Sequence, residues 1–382
     1  MFSMYFIAAV IIVAILGYLI TPDSTPFANT QFLELTAKNP GFSVEMLRLR
    51  KNEKPVEGNI LKKMMFGQRK NFTSIPINNY HFKGQNIIIE EYSETPTTQN
   101  ISTHEYNIVD VVYPLSGIDP DITFNNNSIG FNNVYEERIN VTITDLKQNI
   151  RNKFIVRETF ILGTDRYGRD LLSQLMIGAR VSLSVGFISV TISLLIGILL
   201  GSIAGFFRGW IDDIIIWFIN VVWSIPTLLL VIAISFALGK GFWQVFIAVG
   251  LTMWVEVARV VRGQILSIRE KEFVEAGRAL GFGNARIIFR HILPNVMGAI
   301  IVISAANFAA AILIEAGLSF LGIGVQPPMP SWGTMIKENY GYIILDSAYL
   351  AILPGIAIMV MVLAFMLMGN GLRDALDVRT VD

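Results

Sequence analysis

The residues best placed to act in this chain lie between Arg259 and Pro294. There Arg259, Arg262, Arg269, Lys271, Arg278, Arg286 and Arg290 are interleaved with Glu270, Glu272, Glu275 and regularly spaced apolar side chains. At helical spacing, Ile265, Ile268, Phe273, Ala276 and Leu280 line one face, and Arg262, Arg269, Glu272 and Glu275 lie away from it. Gly281 breaks the run and Phe282-Gly283-Asn284 permits a sharp turn. A second amphipathic piece with Ala285, Ile287, Ile288 and Phe289 then leads to Pro294. Two short helices joined at glycine make a prong. The chemistry open to it is recognition: burial of its apolar face in a groove of a soluble partner, with charges setting register. The alternative is an amphipathic hairpin lying on lipid headgroups.

Groups for covalent chemistry are scarce. There is no cysteine, so disulfides, zinc thiolates and a cysteine nucleophile within the chain are excluded. His81 and His104 have no partner at ligand spacing, and neither a metal nor another cofactor is expected. No Gly-x-x-x-x-Gly-Lys-Ser/Thr occurs, so nothing here cradles ATP and no enzyme is expected. The formal net charge is +0 at pH 7, which gives no whole-chain field pointing to nucleic acid. Charges within apolar spans cost about 2.5–3.5 kcal/mol at the centre, and the charge pattern places them only at span ends, at Asp212, Asp213, Glu256 and Glu315. No relay of the kind a secondary transporter uses is visible.

The elements that must position the prong are membrane spans. Hydrophobic residues make up 53% of the 382, charged residues 16%, and the mean hydropathy is +0.53. The charge-free run Phe2–Ile20 suits a helix crossing about 30 Å of hydrocarbon. With no Lys or Arg before it and no small-x-small site at Thr21-Pro22-Asp23, it reads as an uncleaved anchor, not a signal peptide. Further runs at Val181–Phe207, Ile214–Leu238, Gly241–Val255, Val296–Ile314 and Ala348–Leu372 bring the expected spans to six. Trp243 and Trp254 anchor the fourth at its interfaces. Gly197, Gly201 and Gly205 recur every four residues on the second, as a helix-packing face. Pro226 bends the third, as a gate or as a static kink.

The expected fold is an all-α polytopic membrane protein. It has a transmembrane helix at 1–20, a soluble insert over 21–160, and a core over 161–382 with spans two to six, the loop 259–294 and a tail 373–382. The insert is rich in Asn, Thr, Lys and Glu, with β-leaning runs at Ile87–Ile89, Ile108–Tyr113 and Ile139–Ile143. It therefore reads as α+β or mostly β, either a spacer and docking surface or a substrate-contacting domain. Asn125-Asn126-Asn127 is expected to be a loop, and the Asn-x-Ser/Thr triplets at Asn71, Asn100 and Asn140 matter only in a eukaryotic secretory context. Short basic loops stay cytoplasmic. The 259–294 loop is then inside, and counting outwards puts both termini and the Arg208–Asp213 turn inside and the insert outside.

Glu275-Ala276-Gly277-Arg278-Ala279-Leu280-Gly281, followed by Ile288-Phe289-Arg290-His291-Ile292-Leu293-Pro294-Asn295, resembles the EAA loop of binding-protein-dependent ABC importer permeases. Gly277 stands where the second alanine is usual. Leu162-Gly163-Thr164-Asp165-Arg166-Tyr167-Gly168-Arg169-Asp170, Gly178–Leu183, Glu315–Gly322, Gln326–Thr334 and the tail Gly369–Asp377 are similar to the C-type permeases of dipeptide, oligopeptide and nickel importers. The resemblance covers roughly residues 160 to 382. It implies a MetI-like fold in the bacterial inner membrane, a second permease completing a heterodimeric pore, two cytoplasmic ABC ATPase subunits and an extracytoplasmic substrate-binding protein. It also implies ATPase coupling through Glu275, Ala276, Gly277, Arg278, Ala279, Leu280, Gly281, Phe282, Ile288, His291 and Pro294. Di- or oligopeptide is the cargo it implies, with nickel or another small solute as alternatives. A membrane-anchored binding or sensor protein acting through the insert is the reading from a different class.

Overall fold

The computed structural model describes residues 1–54, 58–94, 102–116, 121–125, 127–239 and 241–376. Asn100, Asn126 and the tail from 377 onward lie outside them. The chain forms two compact units, one of Leu16–Met176 and one of Met1–Ile15 with Ile177–Asp382.

The first unit begins with the last turn of α1 (Phe2–Ile20). It continues through β1 (Phe42–Arg50), α2 (Ile60–Phe66), β2 (Phe72–Lys83), β3 (Asn86–Glu91), β4 (Thr103–Asn107), α3 (Ile108–Val112), β5 (Thr123–Asn125), β6 (Ser128–Asn132), β7 (Arg138–Thr142), α4 (Ile143–Asn149) and β8 (Ile155–Phe160). Five strands pair in the order β4-β3-β2-β1-β8 and three in the order β5-β6-β7, with every pairing antiparallel. In β3, Ile87 and Ile89 are buried while Ile88 between them is half-buried, the period of two that a one-sided sheet requires. The unit is thus α+β.

The expected strand at Ile108–Tyr113 is instead the helix α3. Its run does not alternate: Ile108, Val109, Val111 and Val112 are all buried, which a one-sided strand cannot achieve in consecutive pairs. The Asn107 side chain caps it by accepting from the Val109 N–H at 3.0 Å.

The Leu162–Asp170 motif is a tight latch in this unit. Gly168 has φ +71°, and a Cβ there would fall on the Phe32 carbonyl, so only glycine fits. Asp165 accepts from the backbone N–H groups of Tyr167 and Arg169 at 2.8 and 2.9 Å, and from Arg169 Nε at 2.6 Å. Asp170 accepts from the Ser173 N–H at 2.8 Å, and burial pushes its carboxyl above the ordinary range, with Asp23 adding to the rise.

The second unit is helical. It comprises most of α1, then α5 (Leu171–Phe207), α6 (Gly209–Trp223), α7 (Thr227–Leu238), α8 (Phe242–Ile268), α9 (Glu272–Ala279), α10 (Asn284–Arg286), α11 (Leu293–Phe320), α12 (Trp332–Asn339) and α13 (Tyr349–Leu376). A wide π-type turn over Ile287–Ile292 joins α10 to α11. Gly197, Gly201 and Gly205 of α5 lie against α8. A Cβ on Gly201 would come within 2.5 Å of the Ala258 carbonyl, and one on Gly197 within 2.5 Å of Val257, the backbone-to-backbone approach that small residues permit.

Two expectations need correction. The third span is not one bent helix: α6 and α7 meet at 91°, because Pro226 has no N–H to continue the ladder and instead occupies the cap position of α7. Among the described residues, five helices are long and apolar enough to cross a membrane, or up to six if that pair is one span. Nor are the charges confined to span ends. Glu256 lies well inside α8, and Glu315 is fully buried in α11, accepting from Ser319 Oγ at 2.7 Å with Ser182 Oγ at 3.4 Å. Hydroxyl donors stand in for water around that carboxylate.

Candidate coupling site

The segment after α8 is held from below by an apolar cluster. Val257, Val261 and Ile265 of α8 pack with Phe206 of α5, Val274 of α9, Ile287, Ile288 and Ile292 of the π-type turn, and Val296 and Ile300 of α11. The prong is therefore not two free helices. α8 stops at Ile268, α9 is a separate helix, and the second piece runs straight into the α11 span. Bulky β-branched residues at 287, 288 and 292 supply the reason: they bury against the bundle and carry the helical run on through Pro294, which sits in the first turn of α11 where its missing N–H is harmless.

The expected stripe divides: Ile265 is buried in the bundle, while the part on α9 is left free for a partner. Val274 and Gly277 point inward, whereas Phe273, Ala276 and Leu280 are exposed, Leu280 to 72%. The i, i+3, i+7 spacing identified this stripe but not the residues that hold α9 to the bundle. Val274 and Gly277, at the same spacing, meet the bundle: Val274 enters the cluster, and Gly277 lies against Phe282 and Ile287.

The end of α9 is a Schellman turn. The Phe282 N–H donates to the Gly277 carbonyl at 3.0 Å and the Gly281 N–H to the Arg278 carbonyl at 2.9 Å, with Gly281 at φ +76°. Phe282 then stacks on His291 with ring centroids 5.6 Å apart and receives the Arg286 guanidinium at 4.2 Å. A Cβ on Gly277 would sit 3.4 Å from the Phe282 ring, the apolar contact that usually accompanies this turn. Gly277→Ala is therefore expected to stabilise α9 by about 1 kcal/mol, seen as slower proteolysis at this loop. Faster cleavage than in the parent chain would count against this geometry.

Of the residues expected to couple, Glu275, Ala276, Arg278, Ala279, Leu280, Gly281 and Pro294 are exposed, Phe282 and His291 are half-buried, and Gly277 and Ile288 are buried. They thus divide into an outward set on α9 and an inward set that fixes it. Sequence reasoning missed Val274, Phe206 and the pairing of Arg262 with Asp212 of α6, a two-pronged contact with both distances 2.6 Å. Both partners had been noted, but a charge pair between two helices leaves no spacing signal.

The comparisons with known proteins bear on the same half of the chain. The family described as "Binding-protein-dependent transport system inner membrane component" matches residues 197–382. The dipeptide transport system permease protein DppC of Alkalihalophilus pseudofirmus is 44% identical over 215 residues, 56% of this chain and 70% of that protein. The glutathione transport system permease protein GsiD of Pectobacterium atrosepticum is 41% identical over 216 residues, 56% and 71% of the two chains. The di/tripeptide transport system permease protein DppC of Pseudomonas aeruginosa is 44% identical over 219 residues, 57% and 72%. This chain belongs to the family of binding-protein-dependent transport system inner membrane components, as a permease of the ABC importer class whose ATPase is a separate subunit and not as an enzyme.

Proposed function

We propose that the chain carries peptides of a few residues inward across the bacterial inner membrane, paired with a second permease in a heterodimeric pore. Two cytoplasmic ATPase subunits drive it, and an extracytoplasmic binding protein delivers the cargo. The observation that supports the peptide cargo is the 44% identity to the dipeptide permease over 70% of that protein. In this reading α6 and α7 together count as one span, giving six. Both termini and α9 face the cytoplasm, the insert over 21–160 lies outside, and the exposed stripe of α9 seats in the ATPase.

The residues that support ATPase coupling are Phe273, Ala276 and Leu280. Three outward apolar side chains on a helix fixed from below suit a groove better than water. The cargo is tested by uptake in cells lacking this chain and in cells given it back. Labelled dialanine is expected to enter only the complemented cells, with labelled nickel entering both alike. Nickel uptake that follows the chain while dialanine uptake does not would exclude peptide as the cargo.

A further inference from the structure

Among the described residues, Glu256 has no neutralising partner. At 1.5 Å per residue it lies about 21 Å along α8 from Phe242, three residues before Arg259. Trp254, expected as an interface anchor, is instead buried and stacked on Phe218 with ring centroids 5.6 Å apart. The Glu256 side chain is exposed, and among the described residues no cationic side chain pairs with it. Arg259, one turn on, is already committed: its guanidinium lies 3.7 Å from the Trp223 ring centroid and donates to Asn220 Oδ1 at 2.7 Å.

Glu256 borders a cavity of about 170 Å³ whose walls include Val222, Trp223, Thr227, Met253 and Ile314. Val222 and Trp223 form the last turn of α6, so the negative pole of that helix opens on the same space. The break at Pro226 is what brings a helix end to this depth, with Thr227 opening α7 on the other side. Two sources of negative potential thus meet in an otherwise apolar recess. An ionisable group kept in the middle of a helix long and apolar enough to span a membrane marks a cargo path when nothing else accounts for it, and its complement here is a cation attached to an apolar body.

We propose that Glu256 and the last turn of α6 form the subsite that takes the terminal ammonium group of a peptide as it passes through the pore, an inference that rests on the peptide reading above. The apolar walls accept varied side chains, while the carboxylate supplies the one contact that every peptide with a free amino terminus can make.

The test uses the assembled transporter in cells, with dialanine as the probe and Glu256→Gln and Glu256→Asp as variants. Uptake is expected to fall at least about tenfold in Glu256→Gln, a loss of one charge-assisted contact. Glu256→Asp is expected to keep most of it, with the ATPase and second permease co-purifying equally with all three chains. Wild-type uptake by Glu256→Gln overturns the subsite, as does an equal loss in both variants. Loss of the second permease from Glu256→Gln also overturns it, by showing that the partner chain supplies the cation. Failure of dialanine to enter through the unaltered transporter overturns the peptide reading instead, and the subsite with it.

Discussion

A chain carrying Phe273→Asp and Leu280→Asp is expected to reach the membrane in normal amount, keep its fold and import nothing. Both side chains stand on the outward face of α9, so the substitutions leave the inward cluster of Val274, Ile287, Ile288 and Ile292 untouched. Central apolar anchors in an interface cost about 2–4 kcal/mol each when removed. Losing two of them, and placing carboxylates beside Glu272 and Glu275, is expected to weaken ATPase binding by at least about a thousandfold. Co-purification of the ATPase with the membrane fraction reads this directly. As a control on the direction of the helix, Val274→Asp is expected to fail differently, by loss of the chain from the membrane, because it buries an unpaired charge. Retained ATPase on the Phe273/Leu280 variant would show that the docking face lies elsewhere.

That contrast marks how far the sequence could be read. Charge-free runs located the bundle because hydrocarbon admits few charges. Their ends were set too early, because structure supplies what composition cannot show: α8 continues past Val255 since Arg262 finds Asp212 on another helix, and α11 continues through Glu315 since Ser182 and Ser319 supply hydroxyls. The EAA-like segment was legible as a helix ending at a glycine turn, yet its inward face was not. The choice between Val274 and Phe273 is made by the cluster below, which involves residues from Phe206 to Ile300. In the α+β unit, Ile87–Ile89 read correctly as a strand, and so did Ile139–Ile143 except for Ile143, which opens α4. The run at Ile108 did not, because β-branched residues favour strands only where their side chains alternate across a sheet, and here Asn107 starts a helix that buries nearly all of them.

Removal of the Arg262–Asp212 pair, which ties α8 to α6, gives the second large effect. Asp212 is buried and binds the Arg262 guanidinium through both carboxylate oxygens, so Arg262→Ala strands a carboxylate. The expected loss is about 3 kcal/mol, visible as a lower melting temperature in detergent. Asp212→Ala combined with Arg262→Ala removes both charges and is expected to recover at least about 1 kcal/mol relative to the sum of the two single changes. Strictly additive losses would mean that the pair contributes nothing as a pair. The consequence for transport follows from where it sits. Arg262 belongs to the stretch of α8 whose inward face, Val261 and Ile265, packs on Val274 of α9, while Asp212 begins the helix that ends at the cavity beside Glu256. On the proposed seating of the ATPase at α9, contacts run from α9 through α8 and this ion pair to α6, which ends just before the break at Pro226. The double variant, which strands no charge but lacks the ion pair, is expected to bind ATPase normally and import at least about tenfold more slowly. Import at the wild-type rate by that variant would leave the pair a role in stability alone.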